Sequence, residues 1–375
     1  MAPSAYDRAF RRLASLTDYE TMATVPYHER TYRLARMDGL LDDLGRPFEG
    51  KPLLQVVGSK GKGTTTEAAA SILRAGGLRT GAYTSPHLVH PSERITVDGR
   101  PPGGGRFAAA VDRVLPLALA RAEGDRATFF ELMTAVALLL FEEEGCEAAV
   151  LEAGMGGRLD STTAPRRTAV LLTSISLDHV KQLGRTTALI AAEKAGAARR
   201  GVPFFSAVPP GSPAGRVVAE RCRRVGAPLW TVERDWRVLD ARTGLGEDGP
   251  WTSFDLALGK GPGVCRGFRI PMLGVHQAGN AALAAAAILR WAGGEGLGLA
   301  AVLLAGTVVV WQVYQAESAV LRTRGRFGTL SLLQWIFAAA HLAALLLLVP
   351  GHYLTGALAA CIAGAGIALP AAALV

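Results

Sequence analysis

The sequence predicts an α/β protein: a mostly parallel sheet flanked by helices, followed by an apolar all-α tail. Three observations carry that expectation. Short apolar runs alternate with helical stretches from residue 53 to residue 225, the pattern of strands joined by crossover helices. A turn rich in glycine and lysine, Gly58-Ser59-Lys60-Gly61-Lys62-Gly63-Thr64, links the first apolar run to the first of those helices. Beyond residue 295 charge almost vanishes: 301–375 holds only Glu317, Arg322, Arg324 and Arg326.

Along the chain, 53–57 is an apolar run closed by Gly58, as suits a buried strand. Residues 65–75 read as a helix stopped by Gly76-Gly77. Residues 81–84 read as a second strand, and 107–121 and 129–144 show helical periodicity. Residues 148–151 form a strand that ends on Glu152, and 169–174 form another that stops short of Asp178-His179. Helix, strand and helix follow at 186–197, 202–206 and 212–225. Residues 228–273 are rich in Trp, Thr, Val, Phe and Gly, which marks a small β-rich segment. Residues 277–291 read as an Ala-rich helix. In the tail, 297–314, 330–349 and 353–375 are each long enough for a bilayer span, with Pro350-Gly351 as a turn. The competing reading is that one of these stretches is buried core.

The expected division is therefore 1–295, an α/β domain, and 296–375, a helical tail with two or three candidate membrane spans. Half the residues are hydrophobic and 19% are charged, so a disordered chain is excluded. The 40 basic residues against 32 acidic give a net charge of +8, without a basic run of five. That points to an anionic small ligand before nucleic acid. The cysteines at 146, 222, 265 and 361 form no CxxC pair, which argues against a disulfide scaffold or a Cys-type zinc site and fits a reducing compartment. The opening MAPSAYDRAFRRLASL has no apolar stretch of signal-peptide type, so the α/β part is expected in the cytoplasm.

Chemistry is expected at the strand ends. The Gly58–Thr64 turn follows a strand and opens a helix, which is the context of a phosphate loop. Glycines let backbone N–H groups converge on phosphate oxygens, the helix N-terminus adds partial positive charge, and lysine adds a full one. The strict GxxxxGK[ST] pattern is broken by Gly63 between Lys62 and Thr64. Thr64 to Glu67 is also a capping box, so a plain capped turn is the alternative. Ser85, in Thr84-Ser85-Pro86-His87-Leu88, can complete a Mg²⁺ shell or simply begin a turn. Glu152 at a strand end is a natural Mg²⁺ ligand or the start of the glycine-rich turn that follows it. His179 sits beyond a third strand end, as a ligand or as an ordinary surface histidine. Lys194 near a helix C-terminus complements the helix dipole. Thr128 and Glu131 form a capping box around Phe129 and Phe130, a structural pattern when taken alone.

Taken in order, VVGSKGKGTTTE, YTSPHL with ERI, TFFELMTAVALLLF, LEAGMGGRLDST, TSISLDHVKQLG with IAAEKAGA, and GVHQAGNAALAAAAI resemble the folylpolyglutamate synthase/dihydrofolate synthase family of the Mur ligase group. The resemblance covers residues 27–291. It implies a Mur-ligase-like P-loop domain that uses ATP and Mg²⁺. The implied reaction adds L-glutamate to dihydropteroate or tetrahydrofolate through an acyl phosphate. By position, Ser59, Lys60, Gly61, Lys62, Gly63 and Thr64 would cradle the ATP phosphates, with Lys62 on the β/γ oxygens and Asn280 facing the nucleotide. Ser85, Glu152 and His179 would hold one Mg²⁺. Lys194 matches a lysine that the family carbamylates to ligate a second. Lys62, His179 and Lys194 are thus the expected catalytic residues. Thr128, Phe129, Phe130, Glu131, Leu159, Asp160 and Ser161 match positions that contact the pterin-bearing substrate. Small-molecule partners are implied and nucleic acid is not; membrane association through 297–375 is a further expectation.

Two departures stand out. The family's DATN block is replaced by Asp160-Ser161-Thr162-Thr163, which exchanges an amide for a hydroxyl. Past Asn280 the family continues into a C-terminal α/β domain with a DGAHNP-like block, which 296–375 does not contain. Weak ligase turnover is expected on that account. The alternatives are a Mur-type ligase with another substrate, or a non-catalytic membrane-tethered nucleotide-binding protein.

Overall fold

The computed structural model describes residues 5–13, 28, 31–122, 125–246, 249–259 and 264–294. In chain order its elements are α1 (Ala5–Leu13), α2 (Leu34–Asp43), β1 (Leu53–Val57), α3 (Lys62–Ala75), β2 (Thr80–Tyr83), β3 (Ile95–Val97), α4 (Gly104–Ala120), α5 (Phe129–Glu143), β4 (Ala148–Glu152), β5 (Ala169–Leu172), α6 (Val180–Leu183), α7 (Thr187–Ala195), β6 (Phe204–Ser206), α8 (Pro213–Val225), β7 (Leu229–Thr231), β8 (Trp236–Gly246), β9 (Gly249–Leu258), β10 (Val264–Ile270) and α9 (Val275–Gly294).

Seven strands form one sheet in the order β3-β2-β4-β1-β5-β6-β7. Every pairing is parallel except β2 with β3. Leu54 of β1 faces Val150 of β4 on one side and Ala169 of β5 on the other. β1, β2, β4 and β5 are buried at every position. Both faces of the sheet are covered, which is why these strands read as unbroken apolar runs rather than alternating ones.

Successive side chains on a strand go to opposite faces. Leu53, Ala149 and Leu151 meet α1, α2, α4 and α5. Val57, Val170 and Leu172 meet α7 and α8 on the same face. Leu54, Val56, Val150 and Leu171 meet α3 and α9 on the other. The β-rich segment read from 228–273 divides. β7 closes the large sheet, and β8, β9 and β10 make a separate antiparallel sheet. Trp236, Phe254, Leu256 and Phe268 of that small sheet pack on the alanine stretch 281–287 of α9. Small side chains there let sheet and helix approach closely.

Several boundaries differ from the sequence reading for identifiable reasons. α3 begins at Lys62 rather than 65, because Gly61 adopts φ +81° and caps it. The 186–197 stretch is preceded by a separate short helix, α6, ended by Gly184 at φ +107°. β3, the antiparallel edge, was not legible at three residues. The expected transmembrane-like all-α tail is corrected. Among the described residues no helix is long and apolar enough to cross a membrane. α9 comes nearest in length at 20 residues, but it is built of alanine and spent on covering the sheet. The stretches 297–314, 330–349 and 353–375 lie outside the described residues. The architecture is thus the α/β sheet with its small antiparallel companion, and among the described residues membrane association has no spanning helix to rest on.

Candidate active site

Parallel strands deliver their carboxyl ends to one edge, and four of them bring the candidate residues there. β1 leads into Gly58–Gly61, β2 into Thr84-Ser85, β4 ends on Glu152, and β5 leads into Thr173–Ser176 and then Asp178-His179. In open α/β sheets such an edge, flanking the strand where the order reverses, is where ligands bind.

The glycine turn is held by its neighbours. A Cβ on Gly58 would fall 1.8 Å from Thr173 Oγ1, and one on Gly61 would fall 2.3 Å from Asn280 Oδ1. Ser59 N–H donates to Ser174 O at 2.8 Å, and Lys60 N–H donates to Ser174 Oγ at 3.0 Å. Thr173 Oγ1 donates to Lys60 O at 2.7 Å. The Ser59 hydroxyl donates to Ser176 O and accepts from Ser176 N–H. Ser59 and Lys60 therefore brace the loop against the segment that follows β5, Ser59 through its hydroxyl as well as its backbone. Helix geometry leaves the N–H groups of Lys62, Gly63 and Thr64 without intrahelical partners, the arrangement that receives a phosphate. Asn280 is brought to this loop by α9. Its side chain donates to Gln277 Oε1 at 2.9 Å and its carbonyl accepts from Thr65 Oγ1 at 3.3 Å.

Glu152 is buried and accepts a hydrogen bond from Ser85 N–H at 3.1 Å. Its Oε2 lies 3.4 Å from where a Cβ on Gly63 would stand, so the carboxylate faces the first turn of α3. His179 precedes α6 at φ +46°, and its Nε2 is 3.8 Å from Asp178 Oδ1. Burial lowers its pKa. Asp178 opposes this, while the charges of Lys194, Lys62 and Lys60 add to it.

Lys194 is 1% exposed, and its Nζ donates to Gly58 O at 2.7 Å. Burial, and then the charge of Lys62, push its pKa down to about 7. Two glycines let α7 come close enough for this. A Cβ on Gly157 would sit 2.7 Å from Lys194 O, and one on Gly196 would sit 2.4 Å from Arg158 Cβ. Arg158 fastens the contact by donating to both oxygens of Glu193.

Ser85 and Glu152 thus meet directly, whereas His179 and Lys194 reach the same edge from the β5 side. Among the described residues no group of three or more His, Cys, Asp or Glu is arranged to hold a metal. The buried Glu152 carboxylate beside Ser85 offers oxygen of the kind a hard cation such as Mg²⁺ takes, and no described contact brings His179 to it.

The residues matched to the second substrate line the start of α5 and the turn after β4. Glu131 has its carboxylate fully engaged. Arg36 Nε and Nη2 donate to it at 2.7 Å each, and Thr128 N–H and Oγ1 donate at 2.8 and 3.0 Å. It is a buried ion-pair partner and helix cap, as the capping-box reading had it. Phe130 packs behind the glycine turn, where a Cβ on Gly154 would be 2.8 Å from its ring. Phe129 is buried with Arg94 Cζ 5.1 Å from its ring centroid. Asp160 caps the turn Ser161–Thr163, Ser161 bonds Thr134 at 2.8 Å, and Leu159 packs with Leu183 and Ile190. Thr163, at the position of the missing amide, donates to Gly157 O and accepts from Gln55 Nε2. Arg36, Arg94, Gln55 and Ser174 were not singled out in the sequence. The partners of Arg36, Gln55 and Ser174 lie about a hundred residues away, so no local spacing announces them; Arg94 reaches back to His87 and across to Phe129.

Residues 56–288 match the model of the Mur ligase middle domain. The chain is 33% identical to the folylpolyglutamate synthase of Lacticaseibacillus casei over 75% of its own length and 61% of that protein. It is 33% identical to the dihydrofolate synthase/folylpolyglutamate synthase of Mycobacterium tuberculosis over 68% of this chain and 54% of that protein. The apo form of the L. casei enzyme superposes with a TM-score of 0.70 at 28% identity, covering 81% of this chain and 71% of that one. The chain spans less than two thirds of the length of the curated relatives it matches. With the middle domain covering more than half of its residues, the chain belongs to the folylpolyglutamate synthase family of the Mur ligase superfamily.

Proposed function

We propose that this chain is an ATP-dependent ligase that joins L-glutamate to the carboxylate of dihydropteroate or tetrahydrofolate. The observation that carries the reading is Glu152: a buried carboxylate bonded to Ser85 N–H and set against the first turn of α3. An acid facing a phosphate loop repels phosphate unless a cation lies between them, so this pairing makes sense at a nucleotide–metal site. Relatives support it, since one similar solved structure is a folylpolyglutamate synthase complex with AMPPCP and folate.

In this reading 1–295 is the catalytic unit. Lys62 and the N–H groups of α3 hold the γ-phosphate and take up charge as it transfers. The substrate carboxylate attacks the γ-phosphorus, ADP leaves, and an acyl phosphate remains. The amine of glutamate then attacks the acyl carbon and phosphate departs. Bringing two anions together is the hard part, so the protein's work is alignment and neutralisation. Ser85, Glu152 and His179 would hold one Mg²⁺ and carbamylated Lys194 a second; the metal supplies positive charge between the phosphates and the carboxylate. A buried lysine with its pKa near 7 has the neutral amine that carbamate formation requires. His179, with its pKa lowered, keeps a lone pair available on the same edge.

The test is phosphate release from ATP in the presence of L-glutamate and either dihydropteroate or tetrahydrofolate. Release that needs both co-substrates supports the reading, and its rate measures whether turnover is weak. ATP binding without release overturns it, and release with a UDP-muramoyl substrate instead would reassign the acceptor.

A further inference from the structure

Gln55 stands in the middle of β1, in the otherwise apolar run 53–57, and is fully buried. A primary amide held out of water is costly unless its hydrogen bonds are made. Its Nε2 donates to Thr162 Oγ1 at 2.8 Å and to Thr163 Oγ1 at 2.7 Å. The direction of both bonds is forced by what lies beyond them. Thr163 Oγ1 is 2.6 Å from the carbonyl oxygen of Gly157, and Thr162 Oγ1 is 2.6 Å from Asp160 Oδ1. A carbonyl and an ionised carboxylate only accept, so each hydroxyl gives them its one hydrogen and accepts from Gln55. The end of Gln55 that faces the threonines is therefore its amide nitrogen, and β1 holds the turn after β4 by two separate arms.

The arm through Thr163 ends where α7 comes closest. A Cβ on Gly157 would sit 2.7 Å from Lys194 O, and the next residue, Arg158, donates its N–H to Glu193 O at 2.9 Å. From α7 the Lys194 side chain returns to the exit of β1, where Nζ donates to Gly58 O at 2.7 Å. The contacts close a ring that runs through Gln55, Thr163, Gly157, Lys194 and Gly58 and back along β1. The arm through Thr162 runs instead to Asp160, which caps Ser161–Thr163 and accepts from Met155 N–H. We propose that Gln55 is a positioning residue that, through Thr163 and Gly157, fixes where α7 sets the Lys194 amine on the turn between β1 and α3. Thr163 stands where the resembled DATN block carries its amide, so in this chain the amide comes from the strand and the hydroxyl from the turn. The catalytic consequence rests on the proposed function. A displaced Lys194 misaligns the reacting edge without removing a phosphate contact, so rate is lost rather than ATP affinity.

The seat of Lys194 is read in the full chain without substrate, as the rate at which acetic anhydride labels that lysine at one fixed pH, located by mass spectrometry. Thr163→Val and Thr162→Val each exchange a hydroxyl for a methyl of the same size. Thr163→Val is expected to speed the labelling of Lys194 about fivefold to tenfold, the worth of one hydrogen bond to a local opening equilibrium. Thr162→Val is expected to stay near the wild-type rate, and Thr163→Ser, which keeps the hydroxyl, is expected to match the wild type. Equal acceleration in both valine variants, which is what a merely structural network would give, overturns the proposal, as does no acceleration in Thr163→Val. Gln55→Asn is one methylene shorter and withdraws the amide from both threonines. It asks the same question where Thr163→Val does not fold, and a wild-type labelling rate there also overturns the proposal. In turnover, Thr163→Val is expected to lower kcat about tenfold to 100-fold, the scale of a small misplacement at a reacting centre, with KM for ATP unchanged. A raised KM for ATP with kcat unchanged overturns the positioning role. Labelling needs no turnover. The expected labelling pattern in a chain that releases no phosphate therefore sinks the proposed function and leaves the Gln55–Thr163 seat standing.

Discussion

Lys194 Nζ donates a 2.7 Å hydrogen bond to the carbonyl oxygen of Gly58, the first residue of the glycine- and lysine-rich turn between β1 and α3. The amine is buried, and its pKa falls from the ordinary 10.5 to about 7. Between these values the unfolded chain binds a proton that the folded chain does not. Folding stability therefore rises with pH above about 7, and the penalty is complete below it. Urea unfolding at pH 7 and pH 8.5 is expected to show a larger gain for the wild type than for Lys194→Met. Parallel changes in the two proteins would remove Lys194 as the cause.

Gly61 holds φ +81°, and a Cβ there would lie 2.3 Å from Asn280 Oδ1. Gly61→Ala must strain the backbone and displace Asn280 at once. The expected cost is about 1–3 kcal/mol of stability, with ATP affinity falling at least about tenfold if the loop binds phosphate. Isothermal calorimetry and thermal melts measure the two effects separately.

The Arg36–Glu131 pair is bidentate and buried. Removing one partner strands a charge in the interior, so Arg36→Met or Glu131→Met is expected to cost about 3–5 kcal/mol. The double variant leaves no stranded charge and should be more stable than either single one. Denaturant unfolding of all three gives the coupling energy.

Lys62 supplies a full charge at the head of α3, whereas Ser85 offers one oxygen that water can replace. Lys62→Ala is expected to lower kcat about 100-fold to 1,000-fold, the scale for losing a preorganised charge contact. Ser85→Ala is expected to cost less. Single-turnover phosphate release compares them, and equal losses would contradict the assigned division of labour.

The parallel sheet was legible because its strands are buried on both faces and so appear as uniform apolar runs such as 148–151. The turn between β1 and α3 was legible because glycine and lysine mark it locally. Glu131 shows the limit. The residue was found, and so was its capping box, but the sequence does not show that Arg36, on another helix, takes the rest of its carboxylate. Arg94 was quoted only as part of a motif, since its two partners lie in a loop and a helix that the fold brings together. The membrane reading fell on 297–314, 330–349 and 353–375, outside the described residues, and among the described residues no helix is long and apolar enough to cross a membrane.

β4 lies between β1 and β2, so both neighbours of β1 are made long after it. A ribosome-bound chain would hold β1 and its glycine- and lysine-rich turn early, with no partner strand for them until residues 148–172 have emerged. Such non-local pairing slows folding and leaves an apolar strand exposed in the meantime. Fragments cut before β5 would carry the motif but lack the strand whose loop, through Thr173 and Ser174, holds that motif in shape.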